Sequence, residues 1–288
     1  MKIACIIVTF NRMKMLKQCI ETVERQSYTE FDIIVVNNGS TDNSREWLAG
    51  KNNIYTINQE NMGGAGGFYA GVQRAYEKGY EWFWLMDDDG QPDINQLREL
   101  LEKSKSHKLK FSNALVCDMN NRDVLAFGLS FSDTFITDKE EACKDQLLPL
   151  SINPFNGTFI HRDVVQTMGN IKKEMFIWGD ETEYYHRAVS RGFIPTTVTT
   201  AIHYHPRIRA ELAHIFPFSH KYSLHIRQKD RMKYFIKNMG YINKTYYGKY
   251  NLIKFALKYI IYYSIRLRFV ELASFVKHYF EGIYDRYE

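Results

Sequence analysis

Proline and cysteine are scarce, with six and four residues among 288. No two cysteines form a C-x-x-C pair, which sets aside a zinc ribbon or a thioredoxin-like redox motif. Cys5, Cys19, Cys117 and Cys143 read instead as buried free thiols of a reducing compartment. Long hydrophobic runs are also missing. The apolar start, Ile3 to Val8, is too short for a signal h-region and runs into polar Thr9-Phe10-Asn11-Arg12. The longest apolar stretch, Phe255 to Val270, is interrupted by Lys258, Arg266 and Arg268, so no membrane-spanning helix is expected. The location these features imply is cytoplasmic. Repeats and low-complexity segments are absent. With 45% apolar and 25% charged residues, disorder, collagen and coiled coil are excluded.

Aromatics are plentiful: 20 tyrosines and 19 phenylalanines. The net charge of +5 is unevenly spread. From Pro206 onward 16 Lys and Arg stand against 6 Asp and Glu, leaving 22 against 27 in residues 1–205. This split predicts an ordinary acidic part over 1–205 and a basic, helical, aromatic-rich region over 206–288 with a different partner.

Ile3 to Val8 is a continuous apolar run closed by a polar turn, the mark of a strand buried on both faces. Met13, Leu16, Cys19, Ile20 and Val23 follow at helical spacing. Strands are predicted at Phe31–Val36, Ile54–Asn58 and Trp82–Met86, and helices at Ser44–Ala49 and Phe68–Lys78. Asp93 and Gln96 read as the capping-box pair of a further helix. The β-α alternation predicts an α/β fold with a mostly parallel, doubly wound sheet and a site at the strand C-termini. Further on, Asp138 to Pro149 reads as a loop, Phe155 to His161 as a strand, Asp180 to Arg191 as a helix and Thr196 to His203 as a strand. The last part is read as helices Phe218–Met239 and Leu252–Tyr287.

Four motifs carry chemistry. Asp87-Asp88-Asp89 ends an apolar strand, where adjacent carboxylates repel unless a cation gathers them. Asp87 and Asp89 have the D-x-D spacing by which a hard divalent ion bridges carboxylates to substrate phosphates. The Asn61 to Gly67 loop offers backbone amides and the start of a helix to an anion. It lacks the P-loop Lys-Ser/Thr and a G-x-G-x-x-G fingerprint. Asp180-Glu181-Thr182-Glu183 puts three acids at a helix start, more than helix-dipole complementation requires, so one is a candidate general base. His203 and His205 end a predicted strand. The pair is expected to set its rings on opposite sides, leaving one for the site.

Taken in order, Val8 to Arg12, Val35 to Asp42, Asn61 to Gly67, Asp87 to Asp89 and Phe176 to Arg187 resemble the inverting nucleotide-sugar glycosyltransferases of family 2, with the GT-A fold. The glycine loop, the triple Asp and the acids after Phe176-Ile177 are most similar to bacterial galactofuranosyl- and rhamnosyltransferases. The resemblance covers roughly residues 1–205 and makes them the catalytic domain. It implies that Thr9 and Arg12 line the nucleotide pocket, that Asn38 approaches the base and that Asp42 fixes that loop. Gly63, Gly64 and Gly66 pack near the diphosphate and sugar. Asp87 and Asp89 hold Mn²⁺ or Mg²⁺, Asp88 sits beside the donor, and His205, less readily His203, meets the metal. The family's acidic pair falls on Asp180 and Glu181, with Glu181 as base and Asp180 as the alternative. Asn37 stands where the family often has Asp.

The implied reaction moves a sugar from a UDP- or dTDP-linked donor to a glycan or lipid-linked glycan acceptor in cell-surface polysaccharide synthesis. A nucleotidyltransferase or nucleotide-sugar pyrophosphorylase is the alternative enzyme, although Thr9-Phe10-Asn11-Arg12 replaces the glycine-rich basic loop typical of that class. A non-catalytic peripheral membrane binder is the third reading. Nucleic acid is not an expected partner, because residues 1–205 are net acidic. The tail's aromatics suit either peripheral contact with the inner face of the cell membrane, or packing and a homo-oligomer interface.

Overall fold

The computed structural model describes residues 1–207, 212–216 and 219–287. These divide into two units: Met1–Lys173 with Tyr184–Ile208, and Glu174–Glu183 with Arg209–Glu288.

The first unit opens with β1 (Ile3–Thr9), apolar and buried along its whole length. α1 (Met13–Glu24) buries Leu16, Cys19, Ile20 and Val23, the stripe set by its 3.6-residue period. β2 (Asp32–Asn38), α2 (Ser44–Ala49), β3 (Ile54–Gln59), α3 (Gly63–Glu77) and β4 (Trp82–Asp87) continue the alternation. β5 (Gln91–Pro92), α4 (Gln96–Ser106), β6 (Phe111–Asp118), β7 (Val124–Phe131) and β8 (Thr134–Asp138) come next, then α5 (Lys139–Ala142), β9 (Leu147–Pro149), β10 (Asn156–His161), α6 (Arg162–Met168), α7 (Asp180–Ser190), whose residues up to Glu183 fall in the second unit, and β11 (Thr196–His205).

The main path of the sheet is β3-β2-β1-β4-β10-β6-β11-β5. β3, β2, β1 and β4 are parallel neighbours. β10 runs antiparallel between β4 and β6, which returns β6 and its parallel partner β11 to the first direction. The sheet is therefore mixed but mostly parallel along this path. Its register sets Thr9 opposite Asn37, Asn37 opposite Asn58, and Val8 opposite Asp87. The C-terminal ends of β1 to β4 thus share one edge, the usual site in open α/β sheets. Trp82 and Phe159 stack across β4 and β10 with centroids 4.4 Å apart.

Several local expectations are corrected. α3 begins at Gly63, not Phe68, so Gly63, Gly64 and Gly66 form its first turn rather than a loop. A Cβ at Gly67 would strike Val8 and one at Gly71 would strike Ile6, so these glycines let the helix lie close on β1. Asp93 and Gln96 do not make a capping box. Asp93 Oδ1 accepts from Asn95 N–H at 3.2 Å, while the Gln96 side chain is buried. Residues 138–149 hold α5, capped by Asp138 Oδ1 accepting from Glu141 N–H at 3.0 Å, and β9 on the edge of β11. Cys143 is exposed, whereas Cys5, Cys19 and Cys117 are buried; all four are free thiols.

The second unit is not purely helical. β12 (Leu212–Phe216) and β13 (Ser219–His225) form an antiparallel hairpin. α8 (Met232–Ile242), a π-turn over 243–247, α9 (Gly248–Ile265) and α10 (Phe269–Ile283) follow. The predicted helix Phe218–Met239 is corrected over its first part, and Phe218 itself lies outside the described residues. Two helices with a break at 266–268 replace the single predicted helix Leu252–Tyr287. Tyr259, Tyr262, Tyr263, Phe275 and Tyr279 form this unit's core, with the Tyr259 hydroxyl donating to His225 O at 2.6 Å and that of Tyr279 to Leu252 O at 2.8 Å. Much of the tail's aromatic content is therefore internal packing.

Candidate active site

The acid triplet lies where β4 leaves the sheet beside the end of β1. Asp88, only 2% exposed, accepts from Thr9 Oγ1–H at 2.6 Å on Oδ2 and from Arg12 Nη1 at 3.2 Å on Oδ1. The same Arg12 nitrogen donates to Asp89 Oδ2 at 2.6 Å. Thr9 and Arg12 are thus brought together with the triplet, and Arg12 is committed to carboxylates. Burial pushes the Asp88 carboxyl up to about 6, against the pull of the Thr9 hydrogen bond and the Arg12 charge. Asp87 is pushed higher by burial and by the charges of Asp89 and Asp88.

Asp89 faces His205, with Nε2 3.1 Å from Oδ1. His205 Nδ1–H donates to Pro206 O at 2.7 Å, which leaves Nε2 as the nitrogen directed at the triplet. Although burial opposes both charges, the pair lowers the Asp89 carboxyl and raises the His205 imidazole.

His203 and His205 lie on the same side of β11, contrary to expectation, because residues two apart on a strand share a face. A Cβ on Gly90 would strike the His203 ring. His203 is fully buried beneath the triplet turn. Gln96, with its amide oriented to suit its neighbours, donates to His203 Nδ1 at 3.1 Å and to Ile202 O at 2.8 Å, and accepts from Trp84 Nε1–H at 3.1 Å. Burial drives the His203 imidazole down to about 3, with the His205 charge adding to the effect. It is a neutral core group, whereas His205 reaches the acids.

Beside this cluster, the β2 end is built from amides. Asn38 Nδ2 donates to Gly63 O at 2.8 Å, and its Oδ1 accepts from Met62 N–H at 3.1 Å and from Gln59 Nε2 at 2.8 Å. This side chain therefore fixes the glycine turn. Asp42 accepts from Met13 N–H at 3.1 Å and Ser44 N–H at 3.0 Å, joining the starts of α1 and α2. Sequence reasoning assigned no role to Asn11, although it lies in the quoted motif. Asn11 has φ 54°, and its Oδ1 accepts from Thr41 N–H at 2.7 Å. An open cleft of about 600 Å³ at the ends of β2 and β3 is lined by Ser40, Arg45, Asn58, Gln59 and Asn61 among others.

The acid pair belongs to the second unit. Asp180 is buried, and the half-buried Glu181 accepts from Gly179 N–H at 2.9 Å. The buried Glu183 accepts from the Tyr246 hydroxyl at 2.9 Å. The preceding loop is strained, with Phe176 at φ 63° and Trp178 at φ 60°. Asn238, from α8, holds it. Its Nδ2 donates to the carbonyls of Met175, Ile177 and Trp178 at 2.8, 3.0 and 2.9 Å, and its Oδ1 accepts from the Tyr287 hydroxyl at 3.0 Å. No local sequence signal marks Asn238, which lies about sixty positions from the loop it supports.

Among the described residues no group of three or more His, Cys, Asp and Glu side chains is arranged to hold a metal. Two buried atoms of this cluster are nevertheless short of a hydrogen-bond partner, Asp89 Oδ1 and His203 Nε2. Asp89 Oδ1 is buried and accepts no well-directed hydrogen bond, although His205 Nε2 is near. A hard oxygen and an imidazole nitrogen facing each other fit a Mn²⁺ or Mg²⁺ ion that takes its remaining ligands from phosphate and water.

The family model for glycosyl transferase family 2 matches residues 4–129. The galactofuranosyltransferase GlfT1 of Mycolicibacterium smegmatis is 32% identical over 214 residues, 71% of this chain and 70% of that protein. Among solved structures, S. aureus TarS 1–349 aligns with TM-score 0.58 and 14% identity, covering 98% of this chain and 90% of that one. GalNAc-T7, solved with UDP, GalNAc and Mn²⁺, aligns with TM-score 0.59 and 12% identity, covering 85% of this chain and 49% of that one. At such identities the structural likeness concerns the fold, which is GT-A.

Proposed function

The chain belongs to glycosyl transferase family 2, and on that premise we propose that it transfers galactofuranose, or else rhamnose, with inversion. The donor in this reading is a UDP- or dTDP-linked sugar. The acceptor is a glycan or lipid-linked glycan of a cell-surface polysaccharide. The name of the M. smegmatis relative supports the choice of galactofuranose. The observation that carries the chemistry is the buried Asp88, held by Thr9 and Arg12 and flanked by the Asp89–His205 pair, at the C-terminal edge of a parallel sheet. Family membership displaces the nucleotidyltransferase and non-catalytic readings.

In this mechanism Asp89 and His205, together with Asp87, would hold a divalent ion. When bound, that ion supplies positive charge to the departing diphosphate. Arg12 keeps the adjacent carboxylates together and adds a cation of its own. The cleft amides Asn58, Gln59 and Asn61 present donors and acceptors to the nucleoside. Gly64 contributes the amide end of α3 to the diphosphate, beside Gly63, whose N–H is held by Asn61 Oδ1 at 3.0 Å. Glu181, or Asp180 in its place, removes the acceptor hydroxyl proton as the hydroxyl oxygen attacks the anomeric carbon opposite the leaving diphosphate. One displacement inverts that centre.

A lipid-linked acceptor calls for peripheral contact with the inner face of the cell membrane, and we include that contact in the proposal. Among the described residues no helix is long and apolar enough to cross a membrane.

Release of nucleoside diphosphate from UDP-galactofuranose, UDP-galactopyranose and dTDP-rhamnose, with Mn²⁺ or with chelator, tests the reading. The expected result is metal-dependent release from the furanose or rhamnose donor. Release from the pyranose donor alone, or from none, overturns it.

A further inference from the structure

Charge and exposed apolar surface coincide in the second unit. Residues 231–270, between Asp230 and Glu271, contain nine Lys or Arg and no acid. α9 lies within this stretch. Its inner side is core, with Tyr259 stacked on Phe275 of α10 at 5.1 Å. Its outer side carries Ile253, Leu257, Ile261 and Ile265 at four-residue intervals, each between 39% and 58% exposed. An apolar row at that spacing is normally the face by which a helix packs. Beyond its end the turn into α10 exposes Leu267 and Phe269, at 73% and 62%. Exposed Lys249 and Lys254 stand on the same helix. Nearby acids on α10 are already paired, Glu271 with Arg268 at 2.6 Å and Glu281 with Lys237 at 2.9 Å.

We infer that the outer face of α9 and the α9–α10 turn dock on an anionic lipid surface. The aliphatic row enters the boundary between headgroups and acyl chains, and the lysines meet lipid phosphates. Charge selects this occupant. A second copy of the chain would set one acid-free basic stretch against another, and a nucleic acid would leave the aliphatic row in water. The inference rests on the reading of a lipid-linked acceptor above for its purpose and replaces the tail's buried tyrosines with aliphatic residues as the contacting groups.

The test is co-sedimentation of the full chain with phosphatidylglycerol and phosphatidylcholine vesicles at low and high salt. Binding to the anionic vesicles at low salt, with little to the neutral ones, is expected. Leu257→Glu with Ile261→Glu should abolish it. Lys249→Gln and Lys254→Gln should each weaken it by about fivefold, from the usual contribution of a basic residue at an anionic surface. All variants should keep the wild-type melting temperature and donor hydrolysis. No binding, equal binding to both vesicles, or binding indifferent to the Glu pair overturns the inference. Concentration-dependent dimerisation abolished by the Glu pair, without vesicle binding, overturns it in favour of an interface between copies. Donor hydrolysis on the same preparation separates the two readings. Hydrolysis without vesicle binding sinks only the surface, and vesicle binding without hydrolysis sinks only the proposed transfer.

Discussion

Thr9 donates its hydroxyl hydrogen to Asp88 Oδ2 at 2.6 Å across 79 positions of chain, tying the end of β1 to the turn after β4. Both residues are buried, so the carboxylate depends on this donor and on Arg12. Thr9→Val keeps the shape and removes the donor. A hydrogen bond to a buried charged group contributes about 1.5–3 kcal/mol. The variant should lose stability of that order in urea titration and raise the Asp88 carboxyl further. Unchanged stability would show that the Thr9 hydrogen bond makes no net contribution to the folded state.

The acid pair gives the second prediction. Glu181→Gln should lower sugar transfer by ~10²–10⁴-fold, the usual worth of general-base catalysis, with donor affinity retained. A dead Asp180→Asn beside an active Glu181→Gln would move the role to Asp180.

Asn238 supplies the third. Replacing it with Leu leaves the carbonyls of Met175, Ile177 and Trp178 without their shared donor. Each buried unsatisfied group costs about 1–3 kcal/mol, so a marked fall in melting temperature is expected. Because the loop leads directly into Asp180-Glu181, kcat should fall more than donor affinity. A melting temperature equal to wild type would show that the loop holds its strained dihedrals unaided.

The pH dependence follows from His203. Its folded imidazole is held near 3 by burial, against about 6.5 in an unfolded chain. Below about pH 6.5 the unfolded state binds a proton that the folded state refuses. Stability from this group is complete above that pH and declines as pH falls toward 3, with a slope of up to about 1.36 kcal/mol per pH unit. Denaturation measured with chelator present should show this slope, and His203→Asn should flatten it. An unchanged slope in the variant would assign the acid sensitivity to other groups.

Much of the first unit could be read locally. An apolar run such as Ile3–Val8 has few choices but a doubly buried strand, and the Leu16-Cys19-Ile20-Val23 row has few but an amphipathic helix. Asp87-Asp88-Asp89 announces itself because three adjacent carboxylates after such a strand are costly without a partner. Other features had no local signature. Gln96 looks like a capping residue from its neighbours, yet it bonds His203, 107 positions away. The glycines after Asn61 look like a loop, yet contact with Ile6 and Val8 makes them the close face of a helix.

Sequence by itself determined the alternating elements, the parallel core of the sheet, the acidic cluster at its edge and the basic character of the tail, because each follows from periodicity or charge within a short window. Tertiary structure alone decided that β10 enters the sheet antiparallel, that His203 is sealed beneath the triplet turn against Gln96, and that Asn238 holds the loop before Asp180. It also decided which residues of the tail are core and which face outward. These outcomes depend on long-range pairing and on which side chain loses its water, and neither quantity exists until the chain has closed on itself.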